Sequence, residues 1–498
     1  MEKKKRFIKE AISLTFVNIA IKIVSTSFMV YISNIVGAEG IGLYQLTCSL
    51  YYLFITFCTS GISTTITRLV SEKTAQSNNI SAFDSFKKCT LLSFFISILC
   101  SFLMYFSADF LSINFLKDAR ASLSLKGLSL GLPFLSVGCS VRGYFLGQKQ
   151  GVKASYPDIL EMLIQIGIIF VILPYFNNKS IELACFSLVI ASSVSEVISG
   201  IFAMLMVKLE KKEKIGEKQK GIWKKILYIM LTISSSNYIR STLNTIENIS
   251  IPQGLKKYGQ NYSSALAKYG ALKGMALPLL YFPCAILSAF ANLLVPEVSA
   301  AYALNNQEKI DFIVKKSFKA TLLYGFYIAG LFLAFSNNIA MTFYKRNDVS
   351  AMIFILAPLI PLMYLDQIVD SILKGLNQQV SSMFYNTADS ILRVIIILTL
   401  TPVIGIKGYF IMFYAGTIFN ATLSISRLIK VGKVEVDIKN WIILPIICCI
   451  ISFGFSKLFI IKGQIICATA IYSILLYCFG LVSKKDVNWG IKAISLKK

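Results

Sequence analysis

Apolar runs of about 20 residues recur along the chain, and short basic stretches separate them. An α-helix of that length crosses the hydrocarbon core of a bilayer and satisfies its own backbone hydrogen bonds there. The composition agrees, because 55% of the 498 residues are hydrophobic and only 15% are charged, too few to cover a soluble domain. The sequence therefore predicts an all-α polytopic membrane protein with about 14 transmembrane helices.

An internal repeat limits how these helices can be arranged. The sequence pattern of residues 37–75 is repeated in residues 265–300 at a shift of 225 positions, which aligns Glu72 with Glu297. A shift of 228 aligns further identities in later spans, among them a proline, a glycine and a glutamine. Because six spans return the chain to its starting side, the pattern predicts two parallel six-helix repeats plus two C-terminal helices.

The distribution of charge predicts four segments. These are an N-terminal six-helix lobe over 1–207, a charged cytoplasmic linker over 208–225, a C-terminal six-helix lobe over 226–433, and the last two helices with a basic tail over 434–498. The linker is interpreted as a solvated connection, with a lipid-headgroup or regulatory tether as the alternative.

Basic loops set the expected orientation. The formal net charge is +25, and most loop lysines and arginines fall on one side when the spans are counted. That side is cytoplasmic by the positive-inside rule, which predicts a multi-pass protein of the cytoplasmic (plasma) membrane with both termini in the cytoplasm. The basic loops are expected to meet membrane lipids rather than nucleic acid.

The sequence lacks the residues that common catalytic, metal-binding and nucleotide-binding sites require. Histidine is absent, and the eleven cysteines are scattered through apolar stretches without CxxC spacing. No glycine-rich phosphate loop followed by Lys-Ser/Thr occurs, so ATP is not the expected energy source. We therefore expect no catalytic residues, no metal site and no cofactor.

Charged residues inside apolar spans are the candidate functional residues, because a charge at mid-membrane requires a partner, water or a ligand. Lys22 lies in the first span on a polar stripe with Asn18, and Arg142 lies in the fourth. Neither cation has an acid three or four positions away on its own helix. The polar seventh span adds Asn237 and Arg240. These five residues are predicted to bind substrate.

Four acids are assigned to gating or coupling: Asp370, Glu161, Asp389 and Glu247. Asp370 aligns with Arg142 at the shift of 228, and the two are predicted to pair across the lobes as a gate.

Three of these acids have alternative partners. Asp370 forms a ladder with Asp366 and Lys374 at steps of four on one helix and can pair there locally. Asp389 is four positions before Arg393 and can pair with it locally. Glu247 aligns with Lys22 at the shift of 225 and is its alternative partner.

The repeated stretches carry a resemblance. GAEGIGLYQL, GISTTITRLVSE and AKYGALKGMALPLLYFPCAILSAFANLLVPEVSAA resemble the stage V sporulation protein B family of polysaccharide-type transporters. That family is part of the multidrug/oligosaccharidyl-lipid/polysaccharide exporter superfamily, together with the lipid II flippases and the multidrug-and-toxin antiporters.

The resemblance implies a function and a site residue. It implies two six-helix lobes that flip an undecaprenyl-diphosphate-linked saccharide by alternating access, for cell-wall or spore-cortex synthesis, with cell-wall synthases as partners. A basic residue in the first span is important in the lipid II flippases, and Lys22 is the matching position.

Two other functions stay open. A cation-coupled multidrug antiporter would need an acidic site such as Glu161, Glu196 or Asp389. A non-transporting scaffold would instead recruit enzymes of wall synthesis.

Overall fold

The computed structural model describes residues 2–76, 79–177, 180–210, 222–432, 437–456 and 461–482. These residues are almost entirely helical and contain no β-strand. Most of the predicted linker (211–221) and of the basic tail (483–498) lies outside the described residues.

The helices are numbered in chain order. They are α1 Glu2–Thr59, α2 Ile62–Ala75, α3 Asn79–Phe110, α4 Ala121–Ser129, α5 Leu132–Gly147, α6 Gly151–Ala154, α7 Tyr156–Asn177, α8 Ile181–Leu209, α9 Ile222–Lys257, α10 Tyr262–Gly270, α11 Leu277–Tyr281, α12 Cys284–Ala303, α13 Gln307–Phe343, α14 Asn347–Leu356, α15 Ile360–Gly375, α16 Gln379–Ile404, α17 Ile406–Gly432, α18 Leu444–Ser456 and α19 Ile461–Cys478. π-helical turns follow α3 and α10 and precede α18.

Within the described ranges, eight helices are long and apolar enough to cross a membrane. A ninth is obtained if α4 and α5 count as one span bent by 47°. α9 is not among them, because Asn237, Arg240 and Glu247 interrupt its apolar character. The all-α polytopic membrane fold is confirmed, and the count of about 14 spans stays a prediction.

Glycine and proline place the breaks that shape the first helices. α1 has a kink at Gly37, whose φ of 77° favours glycine. α5 begins with Pro133 in its first turn, where the missing N–H needs no helical partner. Gly131 lies at the bend between α4 and α5, beside the site described below.

The internal repeat is visible in helix bounds and in hydrogen bonds. α5 and α15 have the same length and begin 228 positions apart. Ser71 Oγ donates to the carbonyl of Gly147 at 3.0 Å, and Ser299 Oγ, 228 positions after Ser71, donates to that of Gly375 at 3.2 Å. The structure therefore relates this part of residues 37–75 to its repeat by the shift of 228 and not by 225. Each glycine lets two helices approach closely, because a Cβ there would lie within 3 Å of a valine side chain.

The chain forms two compact units. The first comprises Met1–Phe282 and Asn386–Phe413, and the second comprises Pro283–Tyr385 and Tyr414–Lys498. Most of the predicted site residues belong to the first unit; Asp370 belongs to the second. The lobe boundaries drawn from the sequence stay a prediction.

Candidate functional site

A polar cavity of about 490 Å³ opens among four helices of the first unit. α1, α5, α7 and α8 form its walls. Its charged and amide side chains come from every wall; they are Asn18, Arg142, Asp158, Glu161, Gln165 and Glu196. A charged cavity within apolar helices holds water, ions or a ligand rather than lipid.

Glu196 is the most enclosed acid of the cavity, with 4% of its surface exposed. Tyr51 Oη donates to Glu196 Oε2 at 2.6 Å, and Ser192 Oγ donates to Oε1 at 3.4 Å. Gly131 makes room for the carboxylate, because a Cβ on that residue would overlap Glu196 Oε2. The bend between α4 and α5 therefore gives a buried acid its position.

Arg142 pairs with an acid that the sequence reasoning missed. Its Nη2 donates to Asp158 Oδ1, which joins α5 to the first turn of α7. The two residues are 16 positions apart on different helices, so a search for acids on the same helix could not find the pair. The available signal was Pro157, which marks a helix start where an acid is favoured by the helix dipole.

Glu161 lies one turn after Asp158 on α7 and also faces the cavity. It accepts no hydrogen bond from any residue that the structure describes. Three carboxylates and one guanidinium, that of Arg142, therefore line the same cavity. If all four groups were ionised the cavity would be negative, so it suits a bound cation or a proton on an acid.

Two predicted substrate-binding cations form no ion pair with a described residue. Lys22 on α1 and Arg240 on α9 are exposed, and neither makes a hydrogen bond or an ion pair with a described residue. Asn18 lines the cavity one turn before Lys22, whereas Lys22 itself does not line it. Asn237 Nδ2 donates to Ser60 Oγ at 3.0 Å. The predicted set is thus divided between the cavity and exposed helix surface.

A second group of intramembrane charges is paired internally. Lys273 Nζ lies 3.0 Å from Glu247 Oε1, and Arg393 Nε lies 2.8 Å from Asp389 Oδ2. The side chain of Lys273 is largely buried, and its Nζ lies 5.8 Å from the ring centroid of Tyr409. Lys273 sits in the π-helical turn after α10, an irregularity that often marks functional positions.

Asp370 has partners on its own helix and on the next. Lys374 Nζ on α15 and Ser382 Oγ on α16 both donate to its carboxylate, all within the second unit. Arg142 has Asp158 within the first unit. The pairing of Arg142 with Asp370 across the lobes stays a prediction.

One ion pair occurs in both repeats with its charges exchanged. Arg120 binds Asp118 through Nη2 at 2.8 Å, and Arg346 binds Asp348 through Nη2 at 2.6 Å. At the shift of 228, the acid of one pair aligns with the base of the other. The hydrogen bonds that Arg120 donates to Asp118 raise the pKa of Arg120, whose Nη1 also donates to Glu39 Oε1 at 2.9 Å.

Long apolar helices and a charged intramembrane cavity define a multi-pass helical membrane protein. The profile of the polysaccharide biosynthesis protein family matches residues 7–290, more than half of the chain. The chain belongs to that family.

Similar proteins support the assignment. Stage V sporulation protein B of Bacillus subtilis (strain 168) is 23% identical over 97% of this chain and 98% of that protein. Lipid II flippase MurJ of the same organism is 20% identical over 60% of this chain and 59% of its own length.

Solved structures share the fold. Lipid II flippase MurJ in an inward closed conformation has a TM-score of 0.70 and 12% identity, covering 94% of this chain and 98% of that chain. An inward-facing multidrug resistance MATE family transporter of the MOP superfamily has a TM-score of 0.68 and 12% identity, covering 84% and 99%. These likenesses show that the fold is shared.

Proposed function

We propose that this protein is a transporter that moves a lipid-linked saccharide across the cytoplasmic membrane by alternating access. The family, the similarity to stage V sporulation protein B and to lipid II flippase MurJ, and the shared fold support this function. The finer proposal is an undecaprenyl-diphosphate-linked precursor of the cell wall or spore cortex, with both termini in the cytoplasm.

The observation that carries the proposal is the state of Lys22 and Arg240. Both are exposed cations in the middle of long helices, and neither forms an ion pair with a described residue, although Arg240 interacts electrostatically with Asp389. A charge on a membrane helix that lacks a protein partner requires water or a ligand of opposite charge. A diphosphate supplies that charge, while its polyprenyl chain stays among the lipids.

Reconstituted flipping tests the proposal. Proteoliposomes would receive fluorescent lipid-linked saccharides of defined head group, and accessibility on each leaflet would be followed. Lys22→Gln and Arg240→Gln should each slow flipping about tenfold to a hundredfold, the value of a charge-assisted hydrogen bond. Lys149→Gln, an exposed loop lysine, is the matched control and should flip normally. No flipping of any lipid-linked saccharide by the parent chain would refute the proposal.

The acidic cavity has a separate role in this proposal, which is to bind the coupling cation or proton. Glu161 has no described partner and Glu196 is held by Tyr51, so one acid is available and one is fixed in place. Binding that differs between two conformations is what couples an ion gradient to transport. Glu161→Gln should therefore remove the dependence of flipping on an imposed ion gradient while leaving substrate binding in place.

The same cavity favours a second candidate, a cation-coupled antiporter of small cationic compounds. Three carboxylates around one guanidinium form a site for positive charge. Cells that express the parent chain would then accumulate less of a fluorescent cationic dye than cells without it. Flipping activity together with unchanged dye accumulation would support the flippase and exclude the antiporter. The absence of both activities would favour the scaffold role.

A further inference from the structure

An apolar groove of about 470 Å³ lies on the first unit, apart from the acidic cavity. α3, α5 and α8 form it. Phe86, Val137 and Val141 are buried in its floor, whereas Leu91 and Met204 are 51% and 43% exposed at its sides. Such a groove is large enough for part of a small ligand. Because it opens between membrane helices, its apolar surface is available to lipid chains.

The groove has positive charge at one end only. Lys87 and Lys88 lie at that end, about two turns into α3, whose groove-lining residues run from Phe86 to Phe94. Lys88 Nζ is 2.6 Å from Asp84 Oδ2, which offsets its charge. Lys87 is exposed and has no acidic partner among the described residues; its Nζ lies 4.8 Å from the ring centroid of Phe83. One ammonium group is therefore left uncompensated where the groove ends.

We propose that this groove binds one anionic phospholipid of the surrounding bilayer. The phosphate binds the ammonium group of Lys87, and an acyl chain lies along Leu91, Phe94 and Met204. A single uncompensated cation favours a lipid of net negative charge over a zwitterionic lipid. An acyl chain, unlike water, can fill a groove whose lining offers almost no polar partner. The inference does not depend on the transported substrate.

Photocrosslinking tests the site on the full chain in liposomes. The vesicles would contain a trace of lipid with a photoactivatable acyl chain, either phosphatidylglycerol or phosphatidylcholine, and adducts would be mapped by mass spectrometry. We expect phosphatidylglycerol adducts on the segments that contain Leu91 and Met204, about fivefold above those of phosphatidylcholine, as for one lysine near an anionic surface.

Two variants and two controls separate a specific site from general attraction. Lys87→Gln should lower phosphatidylglycerol labelling of the groove about fivefold. Lys316→Gln is its control, because Lys316 lies 5.4 Å from the ring centroid of Phe312 in the same i,i+4 arrangement on α13. Met204→Trp should reduce labelling by filling the groove, whereas Leu103→Trp, on the exposed side of α3 outside the groove, should not.

Three results would overturn the inference. Equal labelling by the two lipids would remove the charge selectivity, and an equal loss in Lys87→Gln and Lys316→Gln would show general attraction. Displacement of the probe by undecaprenyl phosphate but not by phosphatidylglycerol would assign the groove to a different lipid. Circular dichroism checks that each variant is folded. If Met204→Trp does not fold, Lys87→Glu is used in its place.

Discussion

Gly270 packs directly on the backbone of Gly42, where α10 crosses α1. A Cβ on Gly270 would lie 2.6 Å from the amide nitrogen of Gly42 and would overlap the carbonyl oxygen of Ala38. The reverse contact is equivalent, because a Cβ on Gly42 would overlap the carbonyl oxygen of Leu266. Both pairs, 42 with 270 and 38 with 266, are related by the shift of 228. The repeat thus meets itself at a crossing of small residues.

Gly270→Ala should destabilise the protein by about 1–3 kcal/mol, because the new methyl group must push two backbones apart. Thermal unfolding of the purified protein in detergent measures the effect. Gly167→Ala is the matched control, since a Cβ on that exposed helical glycine meets no atom within 4 Å. Equal stability of the two variants would contradict the close crossing.

Tyr51→Phe should lower the free energy of unfolding by about 1–3 kcal/mol, the cost of leaving the buried Glu196 Oε2 without the hydrogen bond from Tyr51. The phenol oxygen lies 2.6 Å from Glu196 Oε2, and no other described side chain donates a hydrogen bond to that oxygen. Tyr175→Phe, which alters an exposed tyrosine of α7, should leave stability unchanged. A Tyr51→Phe protein as stable as its parent would mean that Glu196 is uncharged or hydrated.

A double-mutant cycle decides which acid is the partner of Arg142. Arg142→Gln and Asp158→Asn should show a coupling energy of about 0.5–3 kcal/mol in unfolding, because they contact each other. The cycle with Asp370→Asn should show no coupling in stability. The gating prediction is tested separately, by restored transport in the charge swap Arg142→Asp with Asp370→Arg. Without any restored transport, direct pairing of Arg142 and Asp370 is wrong.

Lys22→Arg should keep part of the flipping activity, because it retains the charge but changes the donor geometry. The double variant Lys22→Gln with Glu247→Gln should stay inactive, since Glu247 already pairs with Lys273 at 3.0 Å. The flipping assay measures both, and regained activity in the double variant would make Lys22 a structural partner of Glu247.

Glu213→Cys tests the predicted topology, because its segment has no native cysteine. A membrane-impermeant thiol reagent should label this cysteine in inside-out vesicles but not from outside intact cells. The parent chain, treated in the same way, corrects for its eleven native cysteines. Labelling from outside intact cells would reverse the orientation.

Local patterns in the sequence were sufficient for some features and not for others. The pairing of Asp389 with Arg393 follows from a spacing of four on one helix, and the structure contains it. Arg142 with Asp158, and Lys273 with Glu247, join different helices. Helical periodicity shows which face of a helix is polar, but not which neighbouring helix that face meets. The repeat and the apolar runs predicted the fold class because both can be recognised along the linear sequence, without knowing which helices are in contact.

The exchanged pairs Asp118–Arg120 and Arg346–Asp348 have a consequence for how charge is used in this protein. Each follows a lysine in the left-handed conformation, Lys117 with φ 58° and Lys345 with φ 53°. The same turn therefore forms whether the acid or the base comes first in the pair, so its backbone conformation does not depend on the order of the two charges. The order of charges in these two pairs is therefore a local property of the turn and does not indicate the sign of any bound solute.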